Sequence, residues 1–163
     1  MADLYIMCGV PGSGKSTFLK NKIDNNNSVI ISRDKIRFSI VQPNEPYFSH
    51  EGEVLETLWE QINEALSRNK NVFIDQTSLT PRARKYLLDH VQGYNQVHVI
   101  WIDENLDTCL QRNKMRYGTR SYVPEESLRN MYNQFIAPSF DEGFTYIFRY
   151  NSKDNQITYK RRT

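Results

Sequence analysis

Apolar residues fall into two alternating rhythms along the chain. Leu4 to Cys8 is a short apolar run that ends in glycines and predicts a buried strand. Ser16 to Ile23 predicts the helix that follows, and Asn25-Asn26-Asn27 a turn. Val29-Ile30-Ile31 predicts a second strand, and Asp34 to Val41 a helix with Ile36, Ile40 and Val41 on one face. Pro43-Asn44-Glu45-Pro46 breaks it. Val54, Leu55, Leu58, Trp59, Ile62, Ala65 and Leu66 follow the spacing of a long amphipathic helix. Val72-Phe73-Ile74 predicts a third strand, Pro81 opens a helix that Gly93 ends, and Val97 to Ile102 predicts a fourth strand. A helix from about Leu106 to Met115, a polar loop from Arg116 to Val123 and a helix from Pro124 to about Ile136 come next. Tyr146 to Tyr150 predicts a fifth strand, and Ile157 to Tyr159 is a candidate edge strand before Lys160-Arg161-Arg162.

Strands separated by helices require crossover connections, hence an α/β fold whose mostly parallel sheet is covered on both faces. The 163 residues show no linker and no internal repeat, so one domain over 1–163 is expected. The net charge of +2, the 39% hydrophobic content and the 8 Phe, 10 Tyr and 2 Trp supply a real core and exclude a polycation or a disordered chain. No apolar stretch approaches the roughly 20 residues of a membrane span. Asp3 and the early glycine turn argue against a signal peptide. Cys8 and Cys109, each in or beside an apolar run, argue against a disulfide framework and for a cytoplasmic setting.

The chemistry begins at Gly9-Val10-Pro11-Gly12-Ser13-Gly14-Lys15-Ser16, which matches G-x-x-x-x-G-K-[ST] and lies where that motif works, after a strand and opening a helix. Its glycines let backbone N–H groups turn inward around phosphates, and the helix end adds a positive pole. Gly9, Pro11, Gly12, Ser13, Gly14, Lys15, Ser16 and Thr17 are therefore the expected nucleotide-binding residues, ATP the expected donor, and Lys15 the partner of the β/γ-phosphates. Mg²⁺ is expected on Ser16, with Asp75 or Asp34 reaching it through water. Val72-Phe73-Ile74-Asp75 is the better candidate for the strand beside the loop. Asp75 is followed by Gln76, not by a water-activating Glu, which favours transfer to a hydroxyl over hydrolysis. Asp103 is expected to cap the helix near Leu106.

Four more segments line up after successive strands: Ser32-Arg33-Asp34-Lys35-Ile36-Arg37, Asp75-Gln76-Thr77-Ser78-Leu79-Thr80-Pro81-Arg82, Arg112-Asn113-Lys114-Met115-Arg116-Tyr117-Gly118-Thr119, and Val123-Pro124-Glu125-Glu126. With the glycine-rich loop, residues 4 to 136 resemble the kinase domain of phage and bacterial polynucleotide 5′-kinases. The resemblance implies a P-loop kinase fold, with a five-stranded parallel sheet of order 2-3-1-4-5, helices on both sides and a small lid at about 112–123. It implies Asp34 as general base, Arg37 on an acceptor phosphate, Thr77 near the acceptor or metal, Arg116 on the transferring phosphate and Arg112 flanking the adenine.

Two readings of Asp34 stand on the residues alone, a base or an N-cap of the helix it starts. Arg37, Arg112 and Arg116 are also readable as solvated charges, and a solvated face is the default for Arg82, Arg84 and Lys85. The family often shows Asp-x-Thr-Asn where this chain has Asp75-Gln76-Thr77-Ser78, and a tyrosine, Tyr117, precedes the lid glycine. No Asp-x-Asp-x-Thr phosphatase motif occurs, so removal of 3′-phosphates is not expected. The expected partner is the 5′-end of a nucleic acid. A small-molecule kinase, favoured slightly by the modest charge, and a nucleotide-dependent switch are the rivals. Oligomeric state has no signature in the sequence.

Overall fold

The computed structural model describes residues 1–163. Its elements run β1 (Leu4–Cys8), α1 (Lys15–Lys22), β2 (Ser28–Ser32), α2 (Arg33–Ile40), α3 (Glu51–Ser67), β3 (Asn71–Asp75), α4 (Pro81–Leu88), β4 (Val97–Ile102), α5 (Leu106–Lys114), α6 (Glu125–Gln134), a 3-10 turn (Phe140–Glu142), β5 (Tyr146–Asn151) and β6 (Gln156–Arg161). The sheet order is β2-β3-β1-β4-β5-β6. The first five strands are parallel and adopt the expected order.

The expected five-stranded sheet has a sixth strand. The run around Ile157 extends over β6 and pairs antiparallel with β5, Tyr150 opposite Ile157. Only residues 152–155 join the two strands, with Asn155 at φ 47°. A parallel return needs a crossover of a dozen residues or more, so this short connection dictates a hairpin.

Side-chain alternation along β1 divides the core. Leu4, Ile6 and Cys8 enter one cluster with Val54, Leu58 and Ile62 of α3. Met7 enters the other with Phe18 and Leu19 of α1, Phe73, Ile100 and Ile102. Burying a Leu, Ile or Met side chain contributes about 1.5–3 kcal/mol each, so these two layers fix the sheet between α3 and α1. An aromatic row completes the α1 face: Tyr5 stacks on Phe73 at 4.3 Å, and His98, Tyr146, Phe148 and Tyr159 continue it across the strands. Both cysteines are free and buried. No helix is long and apolar enough to cross a membrane.

Three local expectations are corrected. The helix opened by Pro81 stops at Leu88, not Gly93. There the N–H groups of His90 and Val91 turn back to Leu87 and Leu88, which swings Val91 into the core. Asp103 does not cap α5; the Asn105 side chain does, accepting from Thr108 N–H at 2.8 Å, and Asp103 pairs instead with Arg149 of β5. The cap of α2 is Ser32, whose hydroxyl accepts from Lys35 N–H at 3.2 Å, so Asp34 lies inside the first turn and the N-cap reading of it falls.

Candidate functional site

The loop of residues 9–16 joins β1 to α1 at the carboxyl edge of the sheet. Gly12 and Gly14 sit at φ +81° and +104°, conformations that side-chain-bearing residues rarely adopt. A Cβ at Gly12 would also meet the Cys109 carbonyl oxygen at 2.7 Å, so the loop backbone is seated directly on α5. α1 begins with no side-chain cap and no acidic residue in its first turn. Its first amides and its positive pole are left to an anion.

Three side chains arm the loop. Lys15 is buried, and its Nζ donates to the Gly9 and Val10 carbonyls at 2.9 and 3.0 Å. Burial pulls its pKa below the ordinary lysine value, Asp75 opposes that, and Arg116 adds to it. Arg116 is half-buried just beyond the end of α5. The Ser16 hydroxyl donates to the Asp75 carboxylate at 2.6 Å. Arg112 donates through Nη1 to the Gly12 and Ser13 carbonyls at 3.2 and 3.1 Å, and its Nη2 faces Ser152 and Glu104. Arg112 is therefore no solvated charge; it braces the loop. Thr77 lies at the same edge, its carbonyl accepting from Gly9 N–H at 3.0 Å. Burial raises the thiols of Cys8 to about 12 and of Cys109 to about 11, so the cysteines under the loop stay protonated and unreactive.

The second half of the site rises from β2. Ser32 pairs with Asp75 across the β2–β3 register, and Asp34 follows Ser32 by two residues in the first turn of α2. Asp34 accepts from Arg37 and from the Tyr47 hydroxyl. The reading of Arg37 as a solvated charge is wrong, since its side chain is only 3% exposed. Its donors are directed at Glu51, Asp34 and Tyr47, so the expectation of a hand on an acceptor phosphate meets a guanidinium already committed. Glu51 also accepts from Arg33 at 2.5 Å. Burial acts to raise the Glu51 carboxyl, but the hydrogen bonds from Arg37 and Arg33 overcome it and hold the pKa below the ordinary carboxylate value.

The basic residues after β3 have separate fates. Arg84 is fully buried, donating to Glu142, to the Ser78 carbonyl and to the Ile136 carbonyl, so it is a structural bolt between α4 and the 3-10 turn. Lys85 is exposed and pairs with Asp89. Arg82 is exposed.

Glu51, Tyr47, Phe48 and Arg120 were not singled out from the sequence. Arg33 and Arg37 are four apart on α2, so both can reach one carboxylate, but that carboxylate, Glu51, lies beyond a proline-broken turn and has no local signature. Arg120 stacks on Phe38 at 4.5 Å and donates to the Phe38 and Val41 carbonyls at 3.1 and 2.5 Å, tying the loop after α5 to the end of α2.

A glycine loop seated on α5, a buried loop lysine and a serine–aspartate pair together define a nucleotide-binding P-loop protein. A family model described as an AAA domain matches residues 4–138, and the chain belongs to that family. The chain is 24% identical over 151 residues to the bifunctional polynucleotide phosphatase/kinase of Schizosaccharomyces pombe, covering 89% of this chain and 32% of that protein. It thus spans about a third of the length of the curated relatives it matches. Among solved structures, the Pnkp1/Rnl/Hen1 RNA repair complex contains a chain that superposes with a TM-score of 0.70 at 24% identity, over 82% of this chain and 43% of that one. A sugar kinase from Janibacter sp. HTCC2649 superposes with a TM-score of 0.65 at 20% identity, over 93% and 85%. These two likenesses establish the shared fold.

Proposed function

We propose that the protein is an ATP-dependent kinase that moves the γ-phosphoryl group to the 5′-hydroxyl of a nucleic acid. The observation that carries the reading is a pair of carboxylates at two adjacent strand ends: Asp75, held by the P-loop serine at the end of β3, and Asp34, in the first turn of α2 two residues beyond Ser32, the register partner of Asp75. One carboxylate serves the donor side, the other the acceptor side. The matched relative named as a polynucleotide phosphatase/kinase and the fold shared with the RNA repair complex support the acceptor.

In this reading the acceptor oxygen bonds to the γ-phosphorus, the bond from that phosphorus to the β,γ-bridging oxygen breaks, and ADP leaves. The acceptor proton passes to Asp34. Arg37 and the Tyr47 hydroxyl occupy one oxygen of Asp34, which aims the other at the acceptor. Lys15 exchanges its loop carbonyls for phosphate oxygens. Arg116 meets charge developing on the transferring group, and Arg112 steadies the loop and flanks the base of the donor. The Ser16 hydroxyl and Asp75 carboxylate are hard oxygen donors that suit Mg²⁺, and no cage of three or more His, Cys, Asp or Glu side chains competes for it. When bound, Mg²⁺ neutralises phosphate charge. Gln76 donates its amide to Ser78 at 2.9 Å. The residues of 112–123 act as the lid.

A small-molecule hydroxyl is the second reading, favoured by the pairing of Arg33, Arg37, Arg84 and Lys85 with carboxylates, which leaves less free positive charge for a long strand. The deciding experiment offers labelled ATP together with 5′-hydroxyl oligonucleotides and a panel of sugars and other small alcohols. Label on the oligonucleotides supports the proposal. Label on a small alcohol alone supports the second reading, and ADP release without labelled acceptor overturns both.

A further inference from the structure

The turn between α2 and α3 carries two large aromatic side chains in the open. Tyr47 is 41% exposed and Phe48 67% exposed. Isolated exposed aromatics are ordinary, but these are neither isolated nor loosely held. Glu45 ties the turn, its carboxylate accepting from Gln42 N–H at 2.8 Å and meeting His50 at 2.8 Å. Pro43 and Pro46 restrict its backbone. The Tyr47 and Phe48 rings meet edge to face at 4.6 Å and 88°, and Phe38 meets Tyr47 at 6.2 Å.

Tyr47 also fixes this aromatic group to the candidate base. Its hydroxyl donates to Asp34 at 2.5 Å and accepts from Arg37. The Arg37 guanidinium lies 4.1 Å from the Tyr47 ring centre and 5.5 Å from that of Phe48, covering the inner side of the pair. The outer side, chiefly Phe48, faces solvent next to the carboxylate that would take the acceptor proton. Lys35 is exposed on the same helix and makes no ion pair, and Arg120 covers Phe38. An exposed aromatic ring backed by a stacked guanidinium fits a nucleobase, which stacks on it regardless of base identity.

We propose that Phe48, held by Tyr47, is the stacking shelf for the nucleobase of the acceptor's 5′-terminal nucleotide. This rests on the nucleic-acid reading above and adds a subsite to it. The shelf explains how a site whose arginines are largely spent on carboxylates would still hold a strand end: by stacking next to the reactive hydroxyl, not by phosphate contacts.

The test compares two short 5′-hydroxyl oligonucleotides, identical except that one lacks the base of its terminal nucleotide. Wild-type protein should show a KM about tenfold higher for the abasic acceptor. Phe48→Ala should raise KM for the normal acceptor by a similar factor and abolish the difference between the two, while Phe48→Trp restores both. Circular dichroism checks that each variant folds. Equal KM values for the two acceptors in the wild type, or a Phe48→Ala enzyme that still distinguishes them, overturn the shelf while leaving the kinase reading standing. If no oligonucleotide is phosphorylated and a small alcohol is, the nucleic-acid reading falls, and the shelf falls with it.

Discussion

The hydroxyl of Ser16 and the carboxylate of Asp75, 59 positions apart in the chain, meet at 2.6 Å. The P-loop is thereby linked to the end of β3 by the two oxygen groups best suited to a hard cation. Asp75→Asn keeps the size and a hydrogen-bonding oxygen but removes the charge. Transfer by this variant should need roughly 10- to 100-fold more Mg²⁺ for half-maximal rate, with melting close to wild type. A Mg²⁺ titration of initial rates measures it; an unchanged midpoint removes Asp75 from the metal site.

Lys15→Met should abolish transfer and nucleotide affinity without destabilising the chain. The lowered lysine pKa means that burial disfavours the ammonium on folding, a cost present below the lowered folded value and relieved as pH rises through it toward the ordinary lysine value. Methionine carries no such charge. Calorimetry should find a melting temperature equal to or above wild type, and a large drop would show that the bonds to Gly9 and Val10 outweigh the burial.

Asp34→Asn should fold normally and lose about 10²-fold or more in single-turnover rate, the scale of a general base. Because Ser32 caps α2, the capping loss belongs to Ser32→Ala instead, at about 1 kcal/mol. A fully active Asp34→Asn enzyme would shift the search for a base elsewhere.

Glu51 carries the acid sensitivity of the contact between α2 and α3. Its pKa is depressed in the folded chain, so its contribution is present above the ordinary carboxylate value and is lost as pH falls through the lower folded value. Glu51→Gln should be less stable at neutral pH and show a flatter stability profile in that acid window. Denaturant melts at a series of pH values provide the comparison; parallel profiles would mean that Arg33 and Arg37 do not depend on this charge.

Arg84→Met should destabilise the chain by about 3–5 kcal/mol, because Glu142 is left mostly buried without its partner. Adding Glu142→Gln should recover part of the loss. If the two losses simply add in a double-mutant cycle, the pair is not coupled.

The strand–helix alternation, the parallel order and the P-loop were readable because they rest on local signals: apolar runs, glycines and a motif of fixed spacing. The fate of the charges was not. Arg84 and Lys85 are neighbours in sequence, yet one is fully buried on Glu142 and the other exposed on Asp89. Helix phase separates them, and the acid that receives Arg84 lies 58 positions away in a 3-10 turn with no periodic signature. The expected cap, Asp103, lies three residues before the helix start and is taken up by Arg149 of β5, while Asn105, immediately before Leu106, caps α5. Glu51 escaped notice because its role exists only once α2 and α3 pack together.

The contact of Gly12 with the Cys109 carbonyl makes α5 a gauge for the phosphate cradle. Arg112 follows Cys109 by three residues, within one helical turn, and reaches back to the loop it rests against. Adding a single residue between them would swing that guanidinium by about 100° around the helix axis, away from the Gly12 and Ser13 carbonyls. The interval from Cys109 to Arg112 therefore tolerates changes of residue type far better than changes of length.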